Sequence, residues 1–411
     1  MSVLKKYKDV NVLDAAKERI EFVFDNFERI YISFSAGKDS TVMLHLVMAE
    51  AIKRNKKIGL LLVDLEAQYH LTMEHAKTCV DLYKDNIELF WVSLPISLRN
   101  AVSNYNPRWL AWDPDKKAVW VRDRPEWAIG YSKHFPFFQD GMEFEEFVPL
   151  FGEWYAEGKT CACFVGIRTD ESLNRFRTIA LQSKVKFKDK SYTTQVTDNV
   201  YNIYPIYDWA VSDLWLYHYK NPKLPHNKIY DYMYRAGLSP SQMRICQPYG
   251  DDQKKGLWLY HILEPKTWYK VVARVNGVNS GALYIQESGN ITGYAKITKP
   301  DNHTWKSFCN LLLSSLPEHT SRHYIEKFKT FIKWWKARGY AGGIPDEAPS
   351  VLEAQRIVPS WRRLCKVLLR NDYWCKGLAF TQPKSAAYGK YLELKKKNAL
   401  LKAPREAGEE E

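Results

Sequence analysis

"YISFSAGKDSTVMLHLVMAE" (31–50) passes from an apolar run through a knot of small residues with one lysine into a helix-like spacing. Ile30 to Phe34 is short and β-prone. From Asp39 to Lys53 the apolar residues Val42, Met43, Leu46, Val47 and Ala49 recur at helical intervals, which predicts an amphipathic helix. Between the two, "SAGKDS" supplies small residues for a sharp turn, with Gly37 permitting close backbone approach. The N–H groups of a first helical turn point outward, and the helix dipole favours an anion there. Ser35, Ser40 and Thr41 add hydroxyls and Lys38 a fixed charge, so the bend reads as a phosphate cradle. The competing reading is an ordinary capped helix, with Asp39 or Ser40 as N-cap and Lys38 in solvent. The buried strand before the bend and the helix after it weigh against that. Neither a Walker A loop nor a Gly-x-Gly-x-x-Gly turn is present.

Outward from the bend the same rhythm repeats. Residues 13–28 read as a helix on Leu13, Ile20, Val23 and Phe24, "IGLLLVD" (58–64) as a strand covered on both faces, Leu71 to Asp85 as a helix and "IELFWVSL" (87–94) as a strand. Alternation of this kind predicts an α/β, Rossmann-like parallel sheet with right-handed crossovers. Residues 95–145 break it with Trp109, Trp112, Trp120, Trp127, Tyr131, Phe135, Phe137 and Phe138 among Arg99, Arg108, Arg122 and Arg124, and are expected to be an insertion over the sheet. "CACFVGI" (161–167) and "NVYNIYPI" (199–206) restore it, residues 241–300 are expected to hold glycine-broken short strands, and helical periodicity returns from about 303. "GGIPDEAPS" (342–350) is the clearest linker or loop.

Four stretches in order carry a family resemblance: "SFSAGKDS" after the first strand, "LLVDLEA" (61–67), "VGIRTDESLNRFR" (165–177) and "YPIYDWAVSDLW" (204–215). Together they resemble the phosphoadenosine phosphosulfate (PAPS) reductase family of the adenine nucleotide α-hydrolase (PP-loop) superfamily, over roughly residues 20–240. The resemblance implies that an adenine nucleotide, ATP or PAPS, is held by Ser33, Ser35, Ala36, Gly37, Lys38, Asp39, Ser40 and Thr41, with Asp64, Gly166 and Arg168. It implies charge stabilisation by Lys38, Arg168 and Arg175, and Mg²⁺ contacts from Asp39, Asp170 and Glu171. Each has a plainer rival. Asp64 is equally a helix N-cap, Asp170 equally part of a surface salt-bridge network, and Asp213 a cap between packed Trp209 and Trp215.

Departures narrow the activity. The reductases' C-terminal Glu-Cys-Gly-x-His motif is absent, "WCKGL" around Cys375 having only the cysteine. Cys161 and Cys163 lie too close along one strand to serve a cluster, so no iron–sulfur cluster is expected and PAPS reduction is the poorest reading. An ATP pyrophosphatase or adenylyl-transfer enzyme fits better. Residues 241–284 further resemble a branch that includes the immunoglobulin-binding regulator IbrA, described as a transcriptional co-activator working with a ParB-like partner. There "PYGDDQKKG" is either a nucleotide-closing turn, with Asp251 and Asp252 as metal contacts, or a solvated loop.

The expected organisation is a nucleotide-binding domain over 1–240, a branch-specific segment over 241–300, a basic helical domain over 301–400 and a frayed tail over 401–411. The net charge of +13 and the 15 Trp and 26 Tyr among 411 residues suit a nucleic-acid partner as well as a large core. "KFKTFIKWWKARG" (327–339) leans toward lysines covering an apolar helix face. No stretch is long enough to span a bilayer, "MSVLKKYKDV" has no apolar signal core, and seven cysteines include no Cys-x-x-Cys pair. A cytoplasmic protein with no membrane association, in a reducing compartment, is the expectation.

Overall fold

The computed structural model describes residues 8–103, 105–180, 185–240, 242–251, 257–275 and 297–379. In the first half, helix α1 (Val12–Asn26) leads into β1 (Arg29–Ser33), α2 (Lys38–Lys53), β2 (Ile58–Val63), α3 (His70–Tyr83) and β3 (Ile87–Val92). A hairpin of β4 (Ser97–Arg99) and β5 (Arg108–Leu110) follows, then α4 (Phe144–Ala156), β6 (Cys161–Val165), α5 (Leu173–Ala180), β7 (Thr193–Gln195) and β8 (Val200–Ile203). The main sheet has the order β3-β2-β1-β6-β8-β7. Every pairing in it is parallel except β7 with β8.

Alternation along each strand divides the core into two layers. Ile30 and Ile32 of β1, with Ala162 and Phe164 of β6, face α1 and α2. Tyr31, Cys161 and Cys163 face the other way, onto Phe147, Phe151 and Tyr155 of α4. The chain runs outward from β1 to β3, then jumps back across β1 to place β6 on its other side. The point where strand order reverses therefore lies between β1 and β6, and open α/β sheets bind ligands outside the carboxyl ends of their strands at such a point.

Several sequence expectations are corrected here. Helix α2 is buried nearly all round, including Leu44, His45 and Met48, because α1 and α6 (Val211–Lys220) pack against it; Ala49, read as core-facing, is exposed. Within 241–300 the described residues hold α8 (Trp258–Leu263) and α9 (Pro265–Arg274) in place of strands. Proline at the first position of α9 is a helix-start signal, and the buried Trp268, Val271 and Arg274 lie on one helical face. The rest of that glycine-rich stretch, 276–296, lies outside the described residues, as does the 380–411 tail.

The aromatic insertion is largely core: Trp109, Trp112, Phe135 and Phe138 are buried with α4. Helices Trp305–Ser314, Glu318–Lys336, Ser350–Ala354 and Trp361–Leu369 close around a third core of Tyr324, Phe328, Phe331, Leu364 and Cys365. The loop at 342–350 is a cap within that core: Ile344 is buried in it, and Asp346 accepts the N–H groups of Trp305 and Lys306 at 3.0 and 2.9 Å. No helix among the described residues is long and apolar enough to cross a membrane.

Candidate functional site

The bend after β1 differs from its expected form in one respect. The residue in the left-handed region is Ala36, at φ +57°, whereas Gly37 is extended at φ −78° and is the N-cap of α2 without a side-chain cap bond. Neither Asp39 nor Ser40 caps the helix, and Lys38 is not in solvent: it is 7% exposed. Its ammonium donates to the carbonyl of Met243 at 3.1 Å and pairs with Asp39 at 3.3 Å. Burial lowers the Lys38 pKa, and Asp39 opposes that shift. The backbone N–H of Lys38 donates to the hydroxyl of Tyr230 at 3.1 Å, from α7 (Ile229–Arg235). That oxygen stands where the bend would offer an N–H to an anion.

Behind the bend, Asp39 is clamped by Arg168, which is 2% exposed and also donates to the Trp209 carbonyl at 3.1 Å. Gly166 lets this happen. A Cβ there would lie 2.8 Å from Ser40 Cα and 2.9 Å from its nitrogen, so the exit of β6 presses directly on the first turn of α2. Ser40 donates to the Gly37 carbonyl at 3.1 Å and lies 3.0 Å from the exposed Ser35 hydroxyl. Thr41 is turned away, 2.9 Å from His75 Nε2 in α3. Burial lowers His75 to about 3, with His45, His218 and His226 adding to the shift.

The acidic residues after β2 are framework. Asp64 accepts the indole N–H of Trp91 at 2.9 Å, the Ser93 hydroxyl at 3.3 Å and the Arg122 guanidinium. It does not cap α3, whose first N–H groups, His70 and Leu71, are taken by Glu264 at 2.9 and 3.2 Å. Glu66, fully buried at φ +63°, accepts from Trp112 N at 2.7 Å, Val121 N at 3.1 Å and Arg274 at 2.6 and 3.0 Å. One carboxylate thus joins strand, insertion and α9.

The carboxylates expected to take Mg²⁺ do not converge. Asp39 is held by Arg168 and Lys38, Glu171 by Arg175 and the Arg168 N–H at 3.3 Å, and Asp170 is exposed. Asp251 pairs with Arg99 at 3.6 Å, and Asp252 lies outside the described residues. Among the described residues no three histidine, cysteine or carboxylate side chains gather as a metal cage.

A cavity of about 160 Å³ opens at the carboxyl edge between β1 and β2. Of the expected nucleotide contacts, Ser33, Ser35 and Ala36 line it; Gly37, Lys38, Asp39, Ser40, Thr41, Asp64, Gly166 and Arg168 do not. Leu65, Gln68, Tyr69 and Met73 form a wall that sequence reasoning missed, although "LLVDLEA" ends beside it. Ile245, Cys246 and Gln247 form the cover. Asp213 accepts the Ala210 N–H at 2.7 Å and caps α6, and Trp209 packs as expected at 1% exposure. Cys375 is buried in the third core, and burial pushes its thiol up to about 12.

Residues 29–236 match the phosphoadenosine phosphosulfate reductase domain, and residues 237–357 match a domain of unknown function, DUF3440. Uncharacterized protein YbdN of Escherichia coli strain K12 is 43% identical over 396 residues, 96% of either chain. Solved structures that align with the chain include the PAPS reductase of Candida auris in a phosphate complex, at 13% identity and a TM-score of 0.29 over 56% of this chain and 93% of that one. Another is the NMN synthetase of Francisella tularensis, at 12% identity and a TM-score of 0.30 over 72% of this chain and 100% of that one.

Proposed function

This chain belongs to the phosphoadenosine phosphosulfate reductase domain family, and from that premise we propose that it is a PP-loop protein that binds ATP and transfers its adenylyl group. The observation that carries the reading is the cavity walled by Ser33, Ser35 and Ala36, at the end of β1 beside the strand-order reversal. A pocket for a whole ligand usually measures roughly 300–1,000 Å³, so a nucleotide must displace the cover formed by Ile245 to Gln247, and with it the preceding Met243. Displacement frees the Lys38 ammonium from the Met243 carbonyl to face the phosphates, while the Lys38 N–H stays on the Tyr230 hydroxyl of α7 until a phosphate oxygen replaces it. Arg168 acts as a positioning residue through Asp39, and Arg175 is tied to Glu171 on a more exposed surface.

In the reaction, an acceptor oxygen forms a bond to the α-phosphorus while the bond from that phosphorus to the bridging oxygen of the β-phosphate breaks. Pyrophosphate leaves and the acceptor proton passes to solvent. Lys38 and the bend amides stabilise charge on the leaving group, the electrostatic contribution expected to dominate phosphoryl transfer. No step is assigned to Mg²⁺, because Asp39 and Glu171 are occupied by cations and the exposed Asp170 does not converge with them. Reduction of PAPS gets no support from Cys375: a nucleophile must be a thiolate, and this thiol is buried and hard to ionise.

The test is pyrophosphate release from ATP in the presence of candidate acceptors, alongside calorimetric titration with ATP and PAPS. Binding of ATP with acceptor-dependent pyrophosphate supports the reading. Folded protein that gives no heat with either nucleotide overturns it. A second reading, an IbrA-like co-activator acting on nucleic acid with a ParB-like partner, is favoured by the net charge of +13 and by the covered bend. It expects nucleotide binding without turnover, and a salt-dependent shift of DNA mobility.

A further inference from the structure

Beside the nucleotide cavity lies a much larger groove of about 1050 Å³, which none of the expected site residues lines. Gln68 and Met73 border both spaces, so they form a partition between two neighbouring compartments. We propose that this groove is a second ligand site, shaped for a nucleobase carrying its phosphate, and that it holds the acceptor beside ATP. The acceptor role rests on the nucleotide reading above; the binding site itself does not.

The aromatic part of the site is pre-set. Trp127 is 51% exposed, against 7% and 1% for Trp109 and Trp112 of the same insertion. Its ring meets that of Trp91 edge-on, with centroids 4.9 Å apart at 79°. Trp91 is in turn fixed by its indole N–H on Asp64 at 2.9 Å. An indole face half in solvent and backed by a fixed neighbour is a stacking platform, and stacking on such platforms accepts any base.

The charged part favours an anion. Lys77 of α3, with Lys266 and Lys270 of α9, line the groove, are exposed, and have no carboxylate partner among the described residues. Lys266 and Lys270 stand one helical turn apart on the same face. Arg122 adds a fixed cation, held by Asp64 and lying 5.0 Å above the ring of Trp112. Of the three acidic lining residues, Glu264 is spent on the α3 N–H groups and on Thr267, Glu74 lies 3.1 Å from His70, and Asp123 is exposed and forms no ion pair with these lysines. The lysines are therefore left to a ligand. Phosphate beside a base is the chemistry that uses both halves, whether it arrives as a free nucleotide or as the end of a single strand.

The experiment uses the full chain, with a fluorescein-labelled oligothymidylate and with UMP as competitor, read by fluorescence anisotropy. The same proteins are titrated with ATP by calorimetry. Trp127→Ala is expected to weaken oligonucleotide binding on the order of tenfold while leaving ATP binding unchanged. Lys266→Ala with Lys270→Ala is expected to weaken it and to flatten the salt dependence by about 1.4 in log–log slope; this pair serves if Trp127→Ala fails to fold. Competition by UMP identifies a free nucleotide as sufficient, and its failure identifies the strand end. Oligonucleotide binding that is absent, or indifferent to both variants, overturns the proposal even if ATP binds. Trp127-dependent binding in a protein that ignores ATP keeps the groove and removes only the acceptor role.

Discussion

At the level of single residues, the telling feature is that the bend is satisfied by its own chain. Tyr230 accepts the Lys38 N–H and the Met243 carbonyl accepts its ammonium, so an incoming phosphate competes with internal partners. Tyr230→Phe removes one competitor. With a net hydrogen bond worth about 1 kcal/mol, ATP affinity in calorimetry should rise about fivefold; unchanged or weaker binding would mean that the hydroxyl does not stand in the phosphate position. Gly166 is a second sensitive point, for a steric reason. Its Cβ would sit 2.8 Å from backbone, where nothing can rotate away, whereas a Cβ at Gly37 would meet only ordinary contacts at 3.4 Å. Gly166→Ala should therefore lower stability by about 1–3 kcal/mol, with Gly37→Ala costing clearly less, as denaturant melts would show. Sequence reading reached the bend through its small residues. It could not reach Tyr230, whose meaning depends on a contact 192 positions away.

Between elements, buried polar side chains do the joining, and these were the least legible. Long strands and helices follow from periodicity, and their observed ends fall close to the expected ones. Strands β4, β5 and β7 are three residues each, too short for alternation to register, and helices α8 and α9 fall in a stretch read as glycine-broken short strands. Nothing in "LLVDLEA" distinguishes Glu66, fixed by Trp112, Val121 and Arg274, from a surface glutamate. Removing one member of a fully buried pair strands the other. Glu66→Gln should destabilise by about 3–5 kcal/mol, and Glu66→Met with Arg274→Met should cost less than the two single changes summed; strict additivity in urea melts would refute the coupling. His75 links α3 to α2 through Thr41 and gives a pH dependence. Its folded pKa is depressed to about 3 from an ordinary 6.5, so below pH 6.5 the unfolded chain binds the proton that the folded chain refuses. Stability is full above that value and declines as pH falls toward 3, by about 2 kcal/mol between pH 7 and pH 5. His75→Gln should flatten that decline, and an equal slope in wild type and variant would remove His75 as its source.

For the molecule as a whole, the sheet and its two core layers were readable as a class, because covered strands leave continuous apolar runs. The way the C-terminal helices sit on them was not, since docking is made by isolated polar and aromatic contacts with no pattern of their own. Asn371 donates to the Ala101 carbonyl at 2.9 Å, Arg99 lies 4.4 Å over the ring of Tyr373, Arg108 lies 5.5 Å over Trp374, and His319 meets the Tyr105 carbonyl at 3.1 Å. All of these reach the insertion, while the third core stays separate from the two layers of the sheet. An interface of a few polar contacts between self-contained cores couples their unfolding only weakly. Asn371→Ala leaves the Ala101 carbonyl without its donor and should loosen the docking by about 1–2 kcal/mol. Calorimetric melting should then resolve two transitions, or widen the gap between two already present, with the sheet's transition unmoved. ATP binding should be preserved, because the cavity wall from Ser33 to Gln247 includes none of the docking residues. A single transition at an unshifted midpoint would show instead that the three cores unfold as one body, and that Asn371 contributes little to holding them together.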